Sequence, residues 1–183
     1  GAGLYAGGPI GIPYVVVAGS QAPVAIRFTA YGSESDPGPY PVPATAPVEG
    51  GNASSGDRHV LVIDRDRDRL YELFEASRNA DGSWNAASGA VFDLTSNNVR
   101  PGGQAGWTSG DAAGLPIFPG LVRYEEAARG PGGITHALRF TAAITRKAYV
   151  PPATHFASSN ASANLPPMGM RVRLKASYVI PSG

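Results

Sequence analysis

Residues 58–76 read RHVLVIDRDRDRLYELFEA, two apolar arms on either side of a tip in which Asp and Arg alternate. Only a chain reversal lets both arms reach one core while the charged tip stays in water, so the segment predicts an antiparallel hairpin. Pairing Asp64 with Arg69 across the tip sets Leu61 against Glu72 and His59 against Phe74. Because side chains alternate along a strand, His59, Leu61, Ile63, Leu70, Glu72 and Phe74 then share one face. A slip of one residue in either arm would separate them.

The rest of the chain follows the same short-strand logic. With 24 glycines and 17 prolines among 183 residues, helices are interrupted and turns are frequent. Tyr14 to Ala18 is a β-branched apolar run, and Pro23 to Tyr31 alternates with Val24, Ile26 and Phe28 on one face. A Pro-rich loop, Gly32 to Asp57, is stiff enough to wall a groove. Trp84 to Leu94 predicts the third strand of a meander with the hairpin. One helix is expected over Val122 to Arg129, stopped by Gly130-Pro131. Ile134 to Ala142 and Arg171 to Ile180 alternate again and predict two further strands.

Many half-apolar strands bury their faces best by packing sheet on sheet. The expected fold is therefore all-β: an antiparallel β-sandwich, jelly-roll-like, with one short helix. A closed barrel is the alternative. Residues 1–11 read as a Gly-rich extended arm and residues 12–183 as a single domain.

A net charge of +1 gives no bulk attraction to nucleic acid or anionic membranes. No apolar run approaches the ~20 residues of a membrane-spanning helix. The absence of cysteine excludes disulfides, thiolate metal sites and a Cys nucleophile. The start GAGLYAGG carries neither an initiator Met nor a signal-like segment. It fits a secreted or extracytoplasmic protein that has lost its leader.

Reactive groups are few. His59 and Glu72, diagonal neighbours among aliphatic side chains, are the first candidates for acid–base chemistry. The competing reading is a satisfied buried pair. Asp111 lies in GWTSGDAAGLP near Trp107, and an indole beside a carboxylate suits a sugar ring; an Asx-turn is the alternative. His136 sits on the apolar side of its predicted strand, as a core histidine or a catalytic one. His155, in PPATHFASSN, reads as a loop residue on the surface. Tyr71, Arg171 and Arg173 are candidate substrate contacts, the two arginines for an acidic glycan. Asp64, Asp66 and Asp68 have the oxygen spacing of a calcium loop. Arg69 stands where such a loop needs glycine, and the flanks are strands, so a self-neutralising turn is the expectation and no cofactor is assigned.

The segments GDRHVLVIDRDRDRLYELFEA, GWTSGDAAGLPIFPGLVRYEE, ITHALRFT, THFASS and LPPMGMRVRLKASY together resemble a family of mostly uncharacterised secreted bacterial β-rich proteins. That resemblance spans the chain from about residue 8 and implies a secreted single domain without naming a substrate.

The functional expectation is an extracellular glycan-active domain, a polysaccharide hydrolase or lyase. Glu72, His59, Asp111 and His136 would be its catalytic groups, in a cleft lined by Trp107 and Tyr71. Two alternatives stand beside it. One is a non-catalytic carbohydrate-binding module. The other is a structural subunit of an extracellular layer or filament, a homo-oligomer joined through residues 1–11.

Overall fold

The structure, a computed structural model, describes residues 3–5, 8–101 and 107–179. Among them the chain is mostly β, with seven strands in two mixed sheets and a two-stranded ribbon before them. In chain order the strands are β1 (Gly3–Tyr5), β2 (Gly8–Ile10), β3 (Tyr14–Val17), β4 (Ile26–Phe28), β5 (Val60–Asp64), β6 (Arg69–Phe74), β7 (Ser77–Arg78), β8 (Trp84–Ala86) and β9 (Ser88–Asp93). The one α-helix, α1 (Tyr124–Ala127), is shorter than its expected span. No helix among the described residues is long and apolar enough to cross a membrane.

The hairpin forms in the anticipated register, with Asp64 opposite Arg69 and Leu61 opposite Glu72. It is the centre of the larger sheet, ordered β3-β5-β6-β9. Its arms are buried on both faces, which is why they read as nearly continuous apolar runs. Val60, Val62 and Leu73 face a core shared with Trp84 and Ala86 of the smaller sheet, β4-β8-β7. Tyr40 and Val42 of the Pro-rich loop enter the same core, so that loop is part of the packing. The packing is close at Gly89, where a Cβ would sit 2.8 Å from both the Phe28 ring and the Tyr40 hydroxyl.

Two features correct the antiparallel jelly-roll expectation. The pairings β3–β5 and β4–β8 are parallel, because β3 and β4 return to their sheets through long connections rather than hairpin turns. The stretch expected as one strand over Trp84 to Leu94 is also two strands, β8 and β9, which belong to different sheets.

The strands expected at Ile134 to Ala142 and Arg171 to Ile180 are absent among the described residues. Alternation yields a strand only where a free sheet edge and a core meet it, and here neither does. Leu138, Phe140, Val172 and Leu174 are instead half or more exposed. Ile180 lies outside the described residues, as do Gly1, Ala2, Ala6 and Gly7 of the expected arm. The described part of that arm pairs with itself, Gly3 opposite Ile10.

Candidate functional site

The outer face of the hairpin, away from the shared core, is covered by the loop 107–121. Its contact with that loop decides the state of Glu72. The carboxylate accepts the Ile117 amide at 2.9 Å from each oxygen and the Phe118 amide at 3.0 Å. Glu72 has no solvent access. Burial pushes its carboxyl up to about 7, against the pull of the Ile117 and Phe118 amides. It is a buried anchor for the loop, out of reach of any substrate.

His59 lies beside it, 4 % exposed. Its Nδ1 is 2.6 Å from Glu49 Oε2 and its Nε2 is 2.9 Å from the Gly110 carbonyl oxygen. Both partners are acceptors, so the ring satisfies both only as an imidazolium. Burial works against that charge, but the Glu49 carboxylate and the Gly110 carbonyl outweigh it and hold His59 above its usual value. Burial likewise opposes the Glu49 charge, and the bonds to His59 override it and hold Glu49 below the usual range. The ring thus clamps the Pro-rich loop to the 107–121 loop.

This pair gives the protein a pH signature. A histidine raised on folding stabilises fully below its unfolded value of 6.5, and that contribution is lost as pH rises through the folded value. Glu49, lowered on folding, contributes above 4.5 and is lost as pH falls through its folded value. The melting temperature should fall as pH rises above about 6.5. His59→Gln should flatten that fall, and an equally steep fall in the variant would remove His59 from the account.

Asp111 organises the loop around itself. Its Oδ1 accepts from the Ser109 hydroxyl at 2.5 Å, the Ala113 amide at 2.9 Å and the Leu115 amide at 3.3 Å. The anticipated Asx-turn geometry is therefore present. Ala112, next to it, has φ of 60°, a left-handed conformation unusual for a residue with a Cβ. Its carbonyl accepts from His155 Nδ1 at 2.9 Å. That bond places the neutral ring's proton on Nδ1 and leaves Nε2 as an acceptor with no protein partner among the described residues.

These groups border an open cleft of about 940 Å³, lined by loops at one side of the larger sheet. Glu34, Glu49 and Asp57 of the Pro-rich loop, Thr108 to Ala112, Arg139 and His155 all face it, with Tyr31, Phe74 and Phe156 as aromatic surfaces. Arg58, also at positive φ, pins one rim by donating to the carbonyls of Ala76, Asn52 and Ser54. Arg100, 4 % exposed, joins the other walls. It donates to Thr108 O at 2.8 Å and Glu34 O at 2.5 Å, pairs with Asp36, and stacks 4.7 Å over Trp107.

The expected site residues therefore divide. His59 and Asp111 line the cleft, and Glu72 lies sealed beneath them. His136 is elsewhere, bonded to Glu126 at 3.2 Å and to the Ala137 carbonyl at 2.9 Å. Trp107 is held under Arg100, and Tyr71 packs against Tyr40 at 5.1 Å between ring centres. Arg171 borders a second cavity, while Arg173 is exposed and borders neither. Asp64 is buried and turned inward on the tip amides of Asp66 and Arg67 and the Arg67 guanidinium. Asp66 accepts the Gly19 amide at 2.7 Å. Among the described residues no three His, Asp or Glu side chains converge as metal ligands.

Glu49, Arg100 and Arg139 had no local signal, and His155 had one only in its loop position. Comparison with protein-family models, curated proteins and solved structures finds no match.

Proposed function

We propose that the protein is an extracytoplasmic carbohydrate-binding domain that takes a glycan in the 940 Å³ cleft. One observation carries this reading. The cleft presents the carboxylates of Glu34 and Asp57 and Nε2 of His155, all without a protein partner among the described residues, beside the Tyr31 ring and the Phe156 ring, which stacks on His155. Unpartnered acceptors next to aromatic faces match a sugar ring, whose hydroxyls donate and whose C–H face is apolar.

The charges narrow the ligand. Four carboxylates, Glu34, Glu49, Asp57 and Asp111, meet only Arg139 and the His59 imidazolium in the cleft. The balance favours neutral or amino-bearing glycans over uronates. A glycan array should then show binding to neutral or amino-sugar oligomers. Asp57→Ala should weaken it by about tenfold, the worth of one charge-assisted hydrogen bond, and His155→Ala by roughly fivefold, that of a neutral one. Uronate-only binding, or variants that bind unchanged, would sink the assignment.

Catalysis on the same glycans is the second reading, favoured by His155 alone. An imidazole with its tautomer fixed by a carbonyl and its other nitrogen open to a cleft is arranged for proton transfer. Release of new reducing ends that stops in His155→Ala would establish it.

A further inference from the structure

Beside the glycan cleft lies a second cavity of about 320 Å³, and the two share Asp111, Arg139 and Thr141. The chemistry changes across that shared wall. The second cavity is bordered by Leu115, Leu138, Phe140, Pro167, Met168 and Met170. Leu138, Phe140 and Met170 keep 50 %, 57 % and 45 % of their surface exposed. Apolar side chains gathered on an open cavity mark a place where apolar matter docks. Methionines suit a flexible chain better than a rigid one.

Arg139 stands at the junction. Its side chain is 25 % exposed, and its one ionic contact is Asp111 Oδ2 at 3.8 Å, too long for a hydrogen bond. Among the described residues its guanidinium donates to no acceptor, although its backbone is fixed by the Gly120 carbonyl at 3.0 Å. Its donors are reached by solvent and unused by the protein, so they are free to meet an acceptor on a ligand that spans both cavities.

We infer that the ligand is amphiphilic: a glycan head in the large cleft, an ether or ester oxygen against Arg139, and an alkyl or acyl chain in the apolar cavity. This rests on the carbohydrate reading above and adds the aglycone to it. The small cavity has room for on the order of ten water-sized groups, enough for a chain of about eight carbons. Continuity with the polar cleft selects this occupant over an apolar peptide, which would leave Arg139 and the cleft acceptors unused.

The test compares methyl and octyl β-glucoside and β-maltoside below their micelle concentrations, by calorimetry and saturation-transfer NMR. With each methylene half buried, affinity should rise about twofold per carbon, so octyl should bind roughly a hundredfold tighter than methyl. Leu138→Asp and Phe140→Asp, both at exposed positions, should erase that advantage and leave the methyl glycosides unchanged. Met170→Asp, from a separate segment, should do the same. Arg139→Met should weaken both members of each pair. Equal binding of methyl and octyl forms would overturn the inference while leaving the carbohydrate reading intact. So would an octyl advantage that survives Leu138→Asp and Phe140→Asp but disappears in Val172→Asp with Leu174→Asp. If no glycoside binds and the array is also silent, the carbohydrate reading fails and this inference fails with it.

Discussion

Glu72→Ala is expected to cost about 3–5 kcal/mol, because it strands two buried amides and opens a hole under the loop they belong to. Ile117 and Phe118 both donate to this one carboxylate, and nothing else among the described residues replaces it. The loss should appear as a lower urea midpoint and as faster hydrogen exchange at those two amides. Glu72→Gln keeps the shape and an acceptor, so its cost should be smaller, and its main effect should be on pH dependence. Glu72 holds its proton more tightly folded, at about 7, than unfolded, at 4.5. Stability therefore declines as pH climbs through that interval. The glutamine variant should lose this slope and keep the decline above neutrality that belongs to His59. A wild-type slope preserved in Glu72→Gln would show that another group titrates there.

Arg100→Met should cost about 3 kcal/mol, toward the lower end for a broken buried ion pair because Asp36 retains some water. The guanidinium ties the 107–121 loop, through Thr108, to Glu34 and Asp36 of the opposite wall. Its removal leaves two carbonyls and a carboxylate short of donors. The glycan affinity proposed above should fall with stability, since Arg100 and the His59 clamp together tie the two walls of the cleft. Adding Asp36→Asn should recover part of the loss by removing the stranded charge. A single variant as stable as the parent would mean that water replaces the guanidinium at no cost.

The hairpin was legible because its register is fixed by adjacent residues: alternation sets the faces and the charged tip sets the turn. His59 and Glu72 were thus correctly placed on one face. Their role was not legible, since it depends on what covers that face. The Ile117 and Phe118 amides arrive from 45 and 46 residues away and turn Glu72 from a candidate catalyst into an anchor. The same non-locality hid Arg100, which meets Asp36 and Glu34 from 64 and 66 residues away, whereas Glu49 reaches His59 across only ten residues of an irregular loop that carries no periodic signal. In the last third, the alternation at Ile134 to Ala142 and Arg171 to Ile180 misled for a related reason. A period-2 pattern records side-chain polarity but carries no information about whether an edge waits to pair with it. The exposed face it leaves at Leu138 and Phe140 is better explained as the rim of a cavity.

Ala87 alone separates the last residue of β8 from the first of β9, which lie in different sheets. Its amide donates to the Phe74 carbonyl at 2.8 Å, and its carbonyl accepts the Tyr31 amide at 2.7 Å. Phe74 and Tyr31 both border the cleft, so the splice between the sheets is stitched to two of its walls. With one bonded residue as the joint, the layers have no slack in which to shear or hinge. The glycan proposed for the cleft would meet walls already set, and little of its binding energy would be diverted to ordering them.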